Sequence, residues 1–149
     1  MKKSAGVFDS LIQTPSVLAG ACALCRAGLI SHNIHDITVF TEKEWLDGVR
    51  VSTMGFIYTP KIDYLKYTHN RPENPCIIIP DKERAIAEYI HNEKYCDEGY
   101  LIEALQSYLW EVEKGRGSIE RLISVGEEFG VKKETMEYWI KEAEEDYEV

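Results

Sequence analysis

The chain has 149 residues, of which 44% are hydrophobic and 29% charged, with 17 basic and 26 acidic side chains giving a net charge of −9. That length suits one domain burying roughly two thirds of its unfolded surface, and the composition is globular, which excludes a wholly disordered chain. No run approaches the ~18 apolar residues of a membrane span, and the start MKKSAGVFDSLIQ lacks a long apolar stretch and a small-residue cleavage site, so a cytoplasmic protein without membrane association is expected.

Thr14-Pro15-Ser16 offers a capping hydroxyl and a first-turn proline. Val17, Leu18, Ala21, Leu24 and Cys25 then recur at helical spacing, so a helix is expected up to Gly28. After the polar connector SHNIH, Asp36 to Phe40 is β-branched and aromatic and reads as a strand. Thr41-Glu42-Lys43-Glu44 matches a capping box for one short helical turn through Trp45 and Leu46, broken by Asp47-Gly48. Val49–Thr59 and Lys61–His69 read as extended pieces, Asn70–Pro75 as a turn cluster, and Cys76–Ile79 as a buried strand of continuous apolar type. Pro80-Asp81 stops that strand and caps the next element.

From there the hydrophobic period becomes helical. Ala85, Ile86, Tyr89 and Ile90 form one stripe, and Leu101, Ile102, Leu105, Tyr108, Leu109 and Val112 a second. Ser118 can cap a third helix carrying Ile119, Leu122, Ile123 and Phe129 and closed by Gly130; Lys132 to Asp146 makes a fourth with Met136, Trp139, Ile140 and Ala143 inward. The expected class is α+β: a small mixed sheet with an N-terminal helix over residues 1–80, then a bundle of about four helices over 81–149, in a single domain. Charge follows the same division. Residues 1–75 carry eight Lys/Arg and seven Asp/Glu, and residues 76–149 carry nine and nineteen, so the helical half is at −10. Such a surface disfavours direct nucleic-acid binding and suits either solubility or a basic protein partner.

The chemistry-bearing residues are sparse. Cys22 and Cys25 form a CxxC, but a structural zinc needs two further ligands at a recognisable spacing, and both thiols lie in an apolar helical run where cysteine packs as a small hydrophobe. His32, His35, His69 and His91 form no close-set ligand pattern, and GxSxG and glycine-rich phosphate loops are absent from the sequence. No cofactor and no metal are therefore expected. Asp36, opening a strand after the small residues of AGACAL, resembles the entry to a nucleotidyltransferase fold; that chemistry needs a second acid on the same face, and Thr38 stands there. Arg84, in the first turns of the helix after Pro80, is disfavoured by the helix dipole, so Glu88 at i+4 is its expected partner in a surface pair.

Read as an ordered series, the elements resemble a known family. TPSVLAGACALCRAGLISHNIHDITVFTEK resembles the helix, AL…GLI turn and ITV strand of the AbiEi antitoxins from the abortive-infection AbiE type IV toxin–antitoxin systems. IIIPDKERAIAEYI resembles that family's strand and (S/T)PERA(L/I)xD helix start, with Asp81, Glu83, Arg84 and Ala85 in matching positions and Glu88 where an Asp is common. YCDEGYLIEALQSYL and SIERLISVGEEFGVKKETMEYWI resemble its C-terminal helices, so the likeness covers roughly residues 14–145. Asp36, Arg84, Glu88, Asp97 and Glu98 are the candidate interaction or family-motif residues. Full-length members begin with a winged-helix DNA-binding domain, for which this chain has no room, so the resemblance is to the C-terminal, neutralising domain and promoter binding is not expected.

The resemblance implies a non-enzymatic antitoxin-like or immunity-like protein of a prokaryotic or phage defence system. Its partner would be a toxin that resembles nucleotidyltransferases, or that toxin's target. Two other classes stand beside it: a nucleotidyltransferase-fold enzyme centred on Asp36, and an acidic inhibitor that mimics nucleic acid through its carboxylates.

Overall fold

The first apolar run pairs as a strand before it coils. In the computed structural model, which describes residues 16–32, 34–41, 43–51, 53–58, 66–70, 77–92 and 96–147, β1 (Ser16–Ala19) leads without a loop into α1 (Gly20–Arg26). The helix expected from Val17 therefore starts three residues late. Val17 and Leu18 suit either period, and strand partners on both sides decide for β. Gly20 makes the corner at φ +62, a region that costs other residues energy, and Thr38 lies 3.6 Å from where a Cβ would sit.

β2 (Ile37–Thr41) follows as expected, then a 3-10 turn (Glu44–Leu46), β3 (Arg50–Val51) and β4 (Met54–Tyr58). Lys43, rather than Thr41, occupies the cap position of the short turn; Thr41 closes β2 and its Oγ1 accepts the Lys43 N–H at 3.1 Å. β5 (Thr68–Asn70) and β6 (Ile77–Pro80) complete the strands among the described residues, and residues 52, 59, 61–65 and 71–76 of the expected extended, turn and strand segments lie outside them.

The sheet has six strands in the order β3-β4-β2-β1-β6-β5 and is mixed. β1 pairs antiparallel with β2 and parallel with β6, β2 pairs parallel with β4, and the edge strands β3 and β5 pair antiparallel with β4 and β6. Both edges are short, which limits the row of unpaired backbone groups. Along the strands, alternate residues enter two separate clusters: Leu18, Val39, Phe56 and Ile79 face the helices, while Val17, Phe40, Ile57 and Ile78 form a second apolar layer on the opposite face. Burial on both faces explains the continuous apolar runs that these strands show in sequence.

The helical half is α2 (Lys82–His91), α3 (Glu98–Glu113), α4 (Ile119–Glu128) and α5 (Lys133–Tyr147). With α1 this gives the α+β architecture expected, a mixed sheet followed by a helical C-terminal part. α2 is the joint: it packs on α1, β1 and β6 on one side and on α3 and α4 on the other. Its stripe of Ala85, Ile86, Tyr89 and Ile90 is buried throughout. Asp97 and Ser118 cap α3 and α4, accepting the N–H groups of Tyr100 and Arg121 at 3.1 and 3.2 Å. Among the described residues no helix is long and apolar enough to cross a membrane.

Candidate functional site

The Pro80-Asp81 step carries two charged residues, Glu83 and Arg84, into the fold. The Asp81 N–H donates to the Tyr67 carbonyl at 2.8 Å, bringing the turn before β5 against the start of α2. Arg84 fills the angle between them and is 1% exposed, so the surface pair expected from sequence is a buried one. Its Nε meets Glu88 Oε1 one turn along the helix, its Nη1 donates to the Lys66 carbonyl at 2.7 Å, and its guanidinium lies 4.8 Å from the Phe129 ring centroid at the end of α4. The helix dipole opposes a cation here, and these partners offset it. Burial pushes the Glu88 carboxyl up from the usual carboxylate range, and the Arg84 charge opposes that rise.

Tyr67 sits at φ 55, a left-handed conformation uncommon for a bulky residue. Its ring is held edge-on to Phe129 and beneath the Arg121 guanidinium, at 6.1 and 5.3 Å, which fixes the turn that presents the Lys66 carbonyl. The neighbouring carboxylates point sideways rather than capping the helix. Asp81 Oδ1 meets His69 Nδ1 at 3.1 Å and its Oδ2 lies 3.7 Å from Arg121, while Glu83 faces Arg121 at 3.4 Å.

Tyr108 of α3 completes this junction from below. Its hydroxyl donates to Glu83 Oε2 at 2.7 Å and accepts the Ser118 N–H at 3.0 Å, so one oxygen ties α2, α3 and the start of α4. Tyr108→Phe leaves the buried Glu83 and the Ser118 N–H short of a partner and is expected to cost about 1–3 kcal/mol, measurable by urea denaturation; a loss below about 0.5 kcal/mol would contradict it.

Burial also raises the Tyr108 phenol, and raises Tyr89 to about 12, where the hydroxyl accepts the Asp97 N–H at 2.7 Å. A phenol whose folded value lies above its unfolded one favours folding fully below pH 10, and that contribution is lost as the pH rises toward 12. Alkaline titration followed by phenolate absorbance is expected to show Tyr89 and Tyr108 ionising only with unfolding. Their titration near pH 10 in a still-folded protein would refute the assignment.

The remaining sequence candidates do not converge. Asp36, one residue before β2, is largely exposed and pairs with Arg50 of β3 at 3.1 Å, while Thr38 packs at the Gly20 corner. Asp97 is the α3 cap, and Glu98 is exposed in its first turn. Cys22 is buried and Cys25 half-buried in α1, with the Cys25 thiol donating to the His32 carbonyl at 3.4 Å; Cys76 lies outside the described residues. His32 and Ser31 clasp Glu103 of α3 at 2.8 and 2.7 Å, joining the α1–β2 connection to the helical half. Among the described residues no group of three His, Cys, Asp or Glu is placed to hold a metal ion.

A groove that sequence reasoning missed lies on the opposite side of α3, with a volume of about 600 Å³. Its apolar lining is Leu109, Val112, Ile119 and Ala143, from α3, α4 and α5, with Glu113 and Glu144 at its edges. Gln106 spans it to the Ala143 carbonyl at 3.3 Å. Trp110, also lining it, is 51% exposed, with the Lys114 and Arg116 cations 5.4 and 5.1 Å from its ring centroid. The signal was in the sequence: Trp110 puts an apolar ring on the side of α3 away from the stripe of Leu101, Leu105, Tyr108 and Val112.

No protein-family model matches this chain, and no curated protein matches it.

Proposed function

We propose that this chain is a non-enzymatic, antitoxin-like or immunity-like cytoplasmic protein that counteracts a nucleotidyltransferase-like toxin by engaging a macromolecular partner through its acidic helical half. The observation that carries the reading is the groove beside Trp110: an open apolar surface with carboxylates at its edges, on the half of the chain that bears the negative charge. A half-exposed tryptophan next to apolar side chains is the kind of residue on which binding energy concentrates. The resemblance of the ordered elements to the C-terminal domain of AbiEi antitoxins gives the class of partner. The buried Glu83 and Arg84, beside the half-buried Asp81, support a structural role for the residues that carry that resemblance.

Co-expression tests the reading. With a nucleotidyltransferase-like toxin encoded beside it, the protein is expected to restore growth; unchanged toxicity overturns the proposal. A catalytic role centred on Asp36 predicts instead that label from a nucleotide and magnesium is transferred to RNA or protein, and that Asp36→Ala abolishes the transfer.

A further inference from the structure

We infer that the groove between α3 and α5 receives a basic amphipathic helix of a partner protein, an inference that rests on the function proposed above and specifies where and how it acts. Three features select this occupant.

The groove floor is apolar and runs between helices, the setting in which an amphipathic helix docks through anchors at i, i+3 or i+4 and i+7. Five of its eight lining residues are apolar, and Gln106 is engaged with the Ala143 carbonyl, so the groove suits the apolar face of a helix.

Charge then sets the sign of the partner. Glu113 and Glu144 flank the floor, and residues 98–147 hold thirteen acidic and six basic side chains, a net of −7. Arg116 pairs with Glu111 at 2.6 Å, Lys82 approaches the same carboxylate at 3.8 Å, and Lys114 and Arg116 sit against the Trp110 ring. A partner helix with Lys or Arg flanking an apolar stripe would set its cations against Glu113 and Glu144 and its stripe against Leu109, Ile119 and Trp110. A second copy of this chain would bring the same carboxylates face to face, which opposes self-association through this groove.

The test uses a fluorescently labelled, helical Leu/Lys peptide of about 18 residues, a length that gives several turns. Its controls are the same apolar face with Glu replacing Lys, and a sequence-scrambled Leu/Lys peptide of identical charge. Anisotropy titrations of the whole protein are expected to show the amphipathic basic peptide binding at least tenfold tighter than either control. Trp110→Ala is expected to weaken it at least tenfold, and Glu113→Lys/Glu144→Lys to reverse the preference between Lys and Glu peptides. All three positions are exposed, and circular dichroism checks that each variant folds.

Equal binding of the scrambled peptide, or affinity unchanged in both variants, overturns the inference. So does a concentration-dependent dimer that shields Trp110 and excludes the peptide, which would make a second copy the occupant. The cellular assay separates this from the broader proposal. If wild-type protein protects against the toxin and both groove variants protect equally, the groove assignment fails and the function stands; if wild-type protein gives no protection, the function fails.

Discussion

Arg84→Met is expected to lower folding stability by about 3–5 kcal/mol, because it leaves the carboxylate of Glu88 in the protein interior without its counter-charge. In a chain of this size that corresponds to a fall in Tm of roughly 6–20 °C. Glu88 has a side chain only 11% exposed, so water replaces the lost guanidinium poorly. The Lys66 carbonyl loses its donor and the Phe129 ring its cation in the same step. The double variant Arg84→Met/Glu88→Leu removes both charges and is expected to recover most of the loss, since apolar replacements of a buried pair are often neutral or better.

The pH response gives a second reading of the same site. Glu88 already has its carboxyl raised by burial, and removing Arg84 removes the charge that opposes the rise. For an acid whose folded value lies above its unfolded one, protonation favours the folded state, so the Arg84→Met variant is expected to regain stability relative to wild type as the pH falls through the carboxylate range. Urea denaturation at several pH values measures both effects. A single variant within about 1 kcal/mol of wild type, or a double variant no better than the single, would show that Arg84 is not held as described.

Ile86→Ala is expected to cost about 2–5 kcal/mol, the range for removing a fully buried aliphatic side chain and leaving a cavity. Ile86 is 0% exposed on α2, the helix in contact with the sheet side and the helical side together. The loss should therefore reach both halves. Native-state hydrogen exchange is expected to show the slowest amides of β1, β2 and β4 and those of α3 to α5 losing protection by the same free energy. A loss confined to one half would mean that residues 16–80 and 81–147 unfold independently.

Much of the architecture can be read directly from the residues, for a local reason. The stripes of α2 to α5, the cap Ser118 and the termination at Gly130 depend on spacing and chemistry within a few positions, which survive any change in what the helix packs against. The pairing of Arg84 with Glu88 is of this kind, since i and i+4 meet on any helix. The sense of the charge in each half is likewise a property of the chain alone.

Tertiary structure decided the rest. Val17 and Leu18 became strand because β2 and β6 flank them, a fact set by pairing partners distant in sequence. Arg84 became buried because Lys66 and Phe129, remote from it in the chain, close over it. Asp36, expected to open a strand, stands one residue before β2, and its neighbour is Arg50 and not a second acid, because the strand next to β4 brings Arg50 there. The groove is the clearest case: the apolar surface of α3 beyond its buried stripe is written in Trp110, but the groove itself exists only where α4 and α5 pack beside it. Periodicity fixes which face of a helix is apolar, while what meets that face depends on contacts between residues far apart in the chain.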